Sequence, residues 1–408
     1  MNHFFKVKSL EEVMALRKQF SPVGHENISV SQSFSRILAS DLCSPEDMPG
    51  FRRSTMDGYA VMADNTYGAS EASPAWLKLT DTIVMGDLPD FTLKSGEAAE
   101  ISTGGMLPEG ADSVVMIEHT ETIDETSVEI YKSVAPLQNV IDADEDFAKD
   151  DIVLNKGIRL RPQEVGLAAG LGFSKLDVFK TPKVGIISTG DEIIPIDEIP
   201  SPGKIRDINA YTLSGFIREA KACPVGFGIV KDDPAALKAT IEKALEETDT
   251  VLISGGSSVG TRDFTVDVLS ELDDTQILVH GISVSPGKPT ILAKSSGKPV
   301  WGLPGQVVSA MVVLKVVVMP FLNRINGLGN EETPVKIPAI LSRNLASAQG
   351  RLDFVRVRLD KSGKQVVAQP VLGKSGLIRT MIYAEGLLEI GDHVEGLEKG
   401  DPVDVMLL

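Results

Sequence analysis

The sequence predicts a multidomain α/β plus β protein, and three observations carry that prediction. Between 183 and 322, apolar strands VGIIS, VGFGIV, VLIS and PVWGL alternate with helix-like stretches at 208–220, 234–247, 262–271 and 306–319. Such alternation predicts a central, doubly wound α/β domain with a mostly parallel sheet. From about 28 to 145 the texture differs. Short apolar runs such as WLKL, TIVM, AAEIS and SVVMIE are split by Gly, Pro and Asp, which predicts a β-rich region. After the turn formers NGLGNEETP (326–334) the chain returns to strands: PAILS, DFVRVRL, QVVAQPV and PVDVMLL. The 408 residues suit about two to four domains.

The individual elements have local reasons. Ser9 and Glu12 form a capping-box pair ahead of Leu10, Val13, Met14 and Ala15, so the chain opens with a helix. Residues 161–173, RPQEVGLAAGLGF, form another. Pro234 sits where a helix's first N–H has no partner to lose. VRVRL alternates strictly, which predicts one dry face and one wet face. The longest apolar stretch, VVSAMVVLKVVVMPFL (307–322), is shorter than the ~20 residues of a membrane span. Lys315 interrupts it and Pro320 is expected to stop it, so it predicts a buried helix.

Charge and cysteine content bound the function. The chain carries 40 − 57 = −17 charges. That argues against nucleic acid or an anionic membrane as the main partner. An acidic chain binds an anion only through local positive potential. Cys43 and Cys223 stand in no metal-binding spacing and read as buried or incidental thiols of a reducing compartment. The start, MNHFFKVKSL, lacks the charged-then-apolar layout of a secretion signal, so the expected location is cytoplasmic.

In an open parallel sheet, ligands bind outside the carboxyl ends of the strands. Four polar loops stand there: TGDE (189–192), KDD (231–233), GGSSVGTRD (255–263) and PGQ (304–306). Gly255 and Gly256 leave the backbone bare; Ser257, Ser258 and helix N–H groups suit an anion such as phosphate. Glu192, Asp232 and Asp263 would face that anion. Carboxylates beside a phosphate call for a mediator, and Mg²⁺ suits both kinds of oxygen. The cluster predicts metal-assisted phosphoryl or phosphoanhydride chemistry. Singly, each residue has a plain structural role: Asp263 as a helix cap, Asp232 and Asp233 as a helix start, Asp57-Gly58 as a hairpin turn, Thr103 as part of a Gly-rich loop. Jointly, three acidic strand ends in one sheet favour a site.

Taken in order, the motifs resemble the molybdopterin molybdenumtransferase family, which includes the E domain of gephyrin. They are STMDGYAV from Ser54, the TGG…PEGADSVVMIE stretch from Thr103, STGDE from Ser188, Asp207 with Asn209, SGGSSVGTRDFT from Ser254, PGKP from Pro286 and GLPG from Gly302. GRLDFVRVRL from Gly350 and GKSGLI from Gly373 extend the likeness into the tail. The resemblance implies a homodimer of four-domain subunits. An elongated domain would take 1–27, 45–51 and 147–181, and a β-rich one 28–44 and 52–146. An α/β domain would follow at 182–328, then a β-barrel-like domain at 329–408. The site would lie between the α/β domain of one subunit and the β-rich domain of the other.

The resemblance further implies adenylylated molybdopterin and molybdate as substrates, Mg²⁺ as metal and AMP as a product. An adenylyltransferase before it and molybdoenzymes after it would be partners. Asp57, Asp146, Glu192, Asp232 and Asp263 carry over as catalytic, with Glu192, Asp232 and Asp263 as the metal ligands. Thr103, Asp207, Asn209, Gly255, Gly256, Ser257, Lys288, Pro304, Arg351 and Ser375 carry over as substrate-binding.

Some positions depart from the family pattern. Ile141 stands where the family has an arginine, Asp144 where it has a glycine, and Ser285 where it has a lysine. GLPGNP reads GLPGQV, with Gln306 and Val307. Each missing cation costs about 1.5–3 kcal/mol of charge-assisted hydrogen bonding. Lys132 or Arg52 could compensate near 141. Three readings follow. The first is a molybdenum-inserting enzyme. The second is a diverged paralogue that binds a pterin nucleotide, or takes another oxyanion such as tungstate, with weak or no insertion. The third is a gephyrin-like scaffold.

Overall fold

The computed structural model describes residues 7–255, 261–329, 334–361 and 363–408. The chain divides into two compact units. One comprises 41–155 and 166–174; the other, larger one comprises 1–40, 156–165 and 175–408.

The larger unit holds a six-stranded sheet in the order Cys223–Val230, Lys183–Thr189, Thr250–Gly255, Lys298–Leu303, Ile291–Ser295, Thr275–His280. The first four strands are parallel and the last two antiparallel. Side-chain alternation feeds two cores. Leu252 and Ile186 join Leu213 and Ile217 on one face. Val251, Ile253 and Ile187 join Leu237, Ile241 and Leu269 on the other. Period 2 in a strand buried on both sides is what wraps the sheet with helices. The predicted helices stand at Asn209–Glu219, Pro234–Glu247 and Thr261–Ser270.

The long apolar helix corrects one expectation. It does not end at Pro320 but runs from Val307 to Ile325, by way of a π-helical turn at Leu314–Val318. A proline removes one N–H and crowds the carbonyl one turn back. The wider π turn just before it relieves that crowding. By length and composition alone, this 19-residue helix could cross a membrane. Here most of it is buried. Val13 and Phe20, carried by the capped helix Leu10–Ala15 and the turn after it, share its core. Phe321 meets Phe20 and Trp301 edge-on, at 5.8 and 4.9 Å between ring centres.

The tail closes into a five-stranded barrel. Its circuit is Leu352–Asp360, Val367–Pro370, Lys336–Leu341, Pro402–Leu407, Gly386–Ile390 and back to Leu352–Asp360. Closure corrects the one-wet-face reading of VRVRL. Arg358 is exposed, but Arg356 is only 8% exposed. Val284–Ser285 pairs in parallel with the same strand, Val284 opposite Leu352 and Ser285 opposite Asp353.

The smaller unit is built on a six-stranded sheet in the order Ser113–Met116, Gly58–Val61, Glu97–Ile101, Ala75–Ile83, Ser127–Ile130, Thr120–Asp124. WLKL and the start of TIVM, read as separate runs, form one strand, Ala75–Ile83. Cys43 and Cys223 are both free and exposed, so the buried alternative for them falls away.

Candidate functional site

Within the larger unit, two recesses meet at the carboxyl ends of the parallel strands. The first, of about 210 Å³, is lined among others by Ser188, Glu192, Asp207, Asn209, Gly255 and Gln306. Gly255 permits its shape. With φ of +150°, a β-carbon there would lie 1.9 Å from Thr189 O. Asn209 Nδ2 donates to Ser254 Oγ at 2.7 Å and to Gly305 O at 2.9 Å, tying two strand ends together. Its Oδ1 is buried without a partner, and so is Ser188 Oγ. A buried polar atom without a partner is costly and suits a ligand that supplies one. Asp207 has a structural duty as well: its Oδ1 accepts from Ala210 N–H at 3.0 Å, capping the helix that Asn209 begins.

Acidic groups crowd beside this recess. Burial pushes the Asp232 carboxyl above the ordinary aspartate value, and the negative charges of Asp191 and Glu192 push it further. Asp232 N–H lies 3.4 Å from Asp191 Oδ1. Among the described residues, no three acidic, cysteine or histidine side chains form a metal cluster. Gly256, Ser257, Ser258 and the side chain of Asp263 lie outside the described residues. The donor chemistry of Glu192, Asp191 and Asp232 is hard oxygen, the kind a divalent cation such as Mg²⁺ takes.

The second recess, of about 270 Å³, brings together Lys288, Pro304, Arg351 and Ser375, with Ser285, Gln306 and Ser309. Gln306 lines both recesses. The barrel brings Arg351 here because Leu352 N–H donates to Ser283 O at 2.9 Å, beside the PGKP turn. Arg351 Nε meets Asp353 Oδ1 at 3.0 Å. Val308 N–H, in the first turn of the long helix, donates to Ser375 O at 3.0 Å. The helix start and the barrel loop are thereby joined.

The smaller unit carries a separate set. Thr103 N–H and hydroxyl both donate to Asp57 Oδ1, at 2.7 and 3.0 Å. The Thr103 amide first, then its hydroxyl, holds the Asp57 carboxyl below the usual range. Arg53–Ser54 pairs antiparallel with Val140–Ile141, so Ile141 faces Arg53. Arg52 Nε lies 2.6 Å from Asp142 Oδ1. The cation opposite position 141 is Arg53, and Arg52 beside it is already matched by Asp142. Lys132 instead lies 3.3 Å from His119 Nε2. Asp144 has a φ of +62°, a left-handed conformation that aspartate tolerates. Asp146 is exposed, and its amide donates to Met48 O at 3.0 Å.

The chain matches the MoeA N-terminal region (domain I and II) over residues 8–172. It matches a probable molybdopterin binding domain over 185–324 and the MoeA C-terminal region (domain IV) over 338–408. A molybdopterin molybdenumtransferase of Staphylococcus epidermidis is 31% identical over 402 residues, covering 97% of this chain and 94% of that one. The chain belongs to the MoeA family. That membership makes it a transferase of molybdenum cofactor biosynthesis. A molybdopterin molybdenumtransferase of Bacillus subtilis is 31% identical, over 94% of this chain and 90% of that one. A crystal structure of a molybdopterin biosynthesis MoeA protein from Pyrococcus horikoshii superposes with a TM-score of 0.85. It is 30% identical and covers 99% of this chain and 100% of that one.

Against that family background, three residues stand out that the sequence motifs did not single out as site residues. Ser188 and Ser254 end strands whose apolar runs hide them. Arg356 sits in an alternating strand that reads as surface. No sequence signal separates it from Arg358.

Proposed function

We propose that the chain inserts molybdate into adenylylated molybdopterin and releases AMP. The observation that supports this is the pair of recesses sharing Gln306. One offers orphaned polar atoms and carboxylates at parallel-strand ends, the other a lysine, an arginine and a serine. A nucleotide-linked pterin suits the first and a tetrahedral oxyanion the second.

In this reading, Asn209 and Ser188 orient the pterin nucleotide. Lys288, Arg351 and Ser375 hold molybdate beside its dithiolene. A water oxygen attacks the adenylate phosphorus in line and the bridging P–O bond breaks; its electron pair stays on the molybdopterin phosphate oxygen, AMP carries off the water's oxygen, and the water's protons pass to solvent. Glu192, Asp232 and Asp263 would hold Mg²⁺, which would supply charge neutralisation to the phosphate oxygens. Asp57, Thr103 and Asp146 complete the site from the β-rich domain of a second subunit in a homodimer.

The test mixes purified protein with adenylylated molybdopterin, molybdate and Mg²⁺ and follows AMP. Molybdate-dependent AMP release is the expected result. Asp263→Ala should abolish release while the protein stays folded; an unchanged rate removes Asp263 from the site. A second reading has a specific basis in Ser285 and Gln306, which line the oxyanion recess in place of the family's lysine and asparagine. It gives tungstate in place of molybdate, or tight nucleotide binding without AMP release.

A further inference from the structure

Arg356 is an anomaly of the barrel. It is 8% exposed, and none of the ion pairs among the described residues includes it. Its Nη2 donates to one backbone carbonyl, Gly373 O, at 2.7 Å. Its Nε is buried with no partner. Burial alone pushes the guanidinium below its usual range; no acid pushes back. A buried cation without a counter-charge is among the costlier features a fold can carry. Barrel stability gives no reason to keep it.

The bond it makes suggests the reason. Gly373 opens the loop Gly373–Gly376, which carries Ser375. That loop is held on both sides. Arg356 Nη2 grips Gly373 O, and Val308 N–H grips Ser375 O at 3.0 Å. Arg356 O also accepts from Val371 N–H at 2.8 Å, fixing the chain that leads into the loop. Ser375 and Arg351 line the same recess, and Arg351 lies on the approach to the strand that bears Arg356. The same recess holds Ser285, which carries no charge.

We propose that Arg356 is a positioning residue for the oxyanion recess: it fixes the Gly373–Gly376 loop so that Ser375 faces the anion. This rests on reading the recess as an oxyanion site. It predicts a coupling that a purely structural arginine would lack. Filling the recess should stabilise the wild-type protein more than it stabilises a variant without the buried charge.

The experiment uses the full chain and titrates sodium molybdate, then sodium tungstate, by calorimetry and thermal unfolding. Arg356→Met should keep an unfolding midpoint close to wild type without anion, yet lose at least about tenfold in molybdate affinity, the value of one charge-assisted hydrogen bond. Arg356→Lys, which keeps charge but not the planar fork, should fall between the two. It carries the test alone should Arg356→Met not fold. Arg351→Met serves as the control for the site. Arg351→Met losing affinity while the Arg356 variants stay within twofold of wild type overturns the role of Arg356 alone. A wild-type protein that binds neither anion, or an Arg351→Met variant that binds like wild type, overturns the oxyanion site and this role with it.

Discussion

Asp232 shows what a single side chain can report. Its carboxyl is raised by burial, then by Asp191 and Glu192. A raised folded-state value means the folded protein holds its proton more tightly than the unfolded chain. The stabilising contribution is therefore fully present below the ordinary aspartate value of about 3.9 and is lost as pH rises through the raised value. At neutral pH without divalent metal, ionised Asp232 is a burden. Asp232→Asn should leave the unfolding midpoint at pH 7 equal to wild type or higher, and the difference should close as pH falls toward about 4. Added Mg²⁺ should raise the wild-type midpoint and leave the variant's unchanged. A variant less stable than wild type at pH 7 in metal-free buffer would show that Asp232 is favourably paired instead. The acidic strand ends were legible in the sequence because a polar loop after an apolar run marks a strand's carboxyl end. The mutual crowding of Asp191, Glu192 and Asp232 was not, because it depends on how three loops fold back. Asp191 stands next to Glu192 in TGDE, and nothing in that spacing shows that both act on Asp232.

At the scale of elements, the PGKP turn and the long helix are fitted against each other. Gly287 has φ of +129°, and a β-carbon there would lie 2.3 Å from Val313 Cγ2. Val313 is fully buried in the helix core and has no room to move. Gly287→Ala should cost about 1–3 kcal/mol through overpacking, read from the denaturant midpoint. It should also weaken molybdate binding, because Lys288 is the next residue. Gly287→Ala with Val313→Ala should recover only part of the stability, since the backbone strain stays. Full recovery would mean that bulk alone makes the glycine necessary. The alternation of strands and helices from 183 to 322 was readable because periods of 2 and 3.6 are local. The helix beyond Pro320 was not, because the π turn that accommodates the proline depends on packing of Leu314–Val318 in the core. Likewise VRVRL alternates as a half-wet strand would, but closure of the barrel hides Arg356.

At the scale of the whole molecule, the proposed site draws on two sets of residues. Asp57 and Thr103 are bound to each other in the smaller unit; Glu192, Asp232 and the two recesses belong to the larger one. Subunit complementation tests whether one site takes these sets from two chains. Asp57→Asn and Asp232→Asn proteins should each be inactive in AMP release. In a heterodimer of the two, one composite site receives both lesions and the other receives neither. Random pairing makes half of all dimers mixed, so coexpression should restore about a quarter of wild-type activity per site. A site assembled within one chain predicts no recovery at all, because every chain carries a lesion. Recovery well above a quarter would instead require chains that exchange freely and favour the mixed pair.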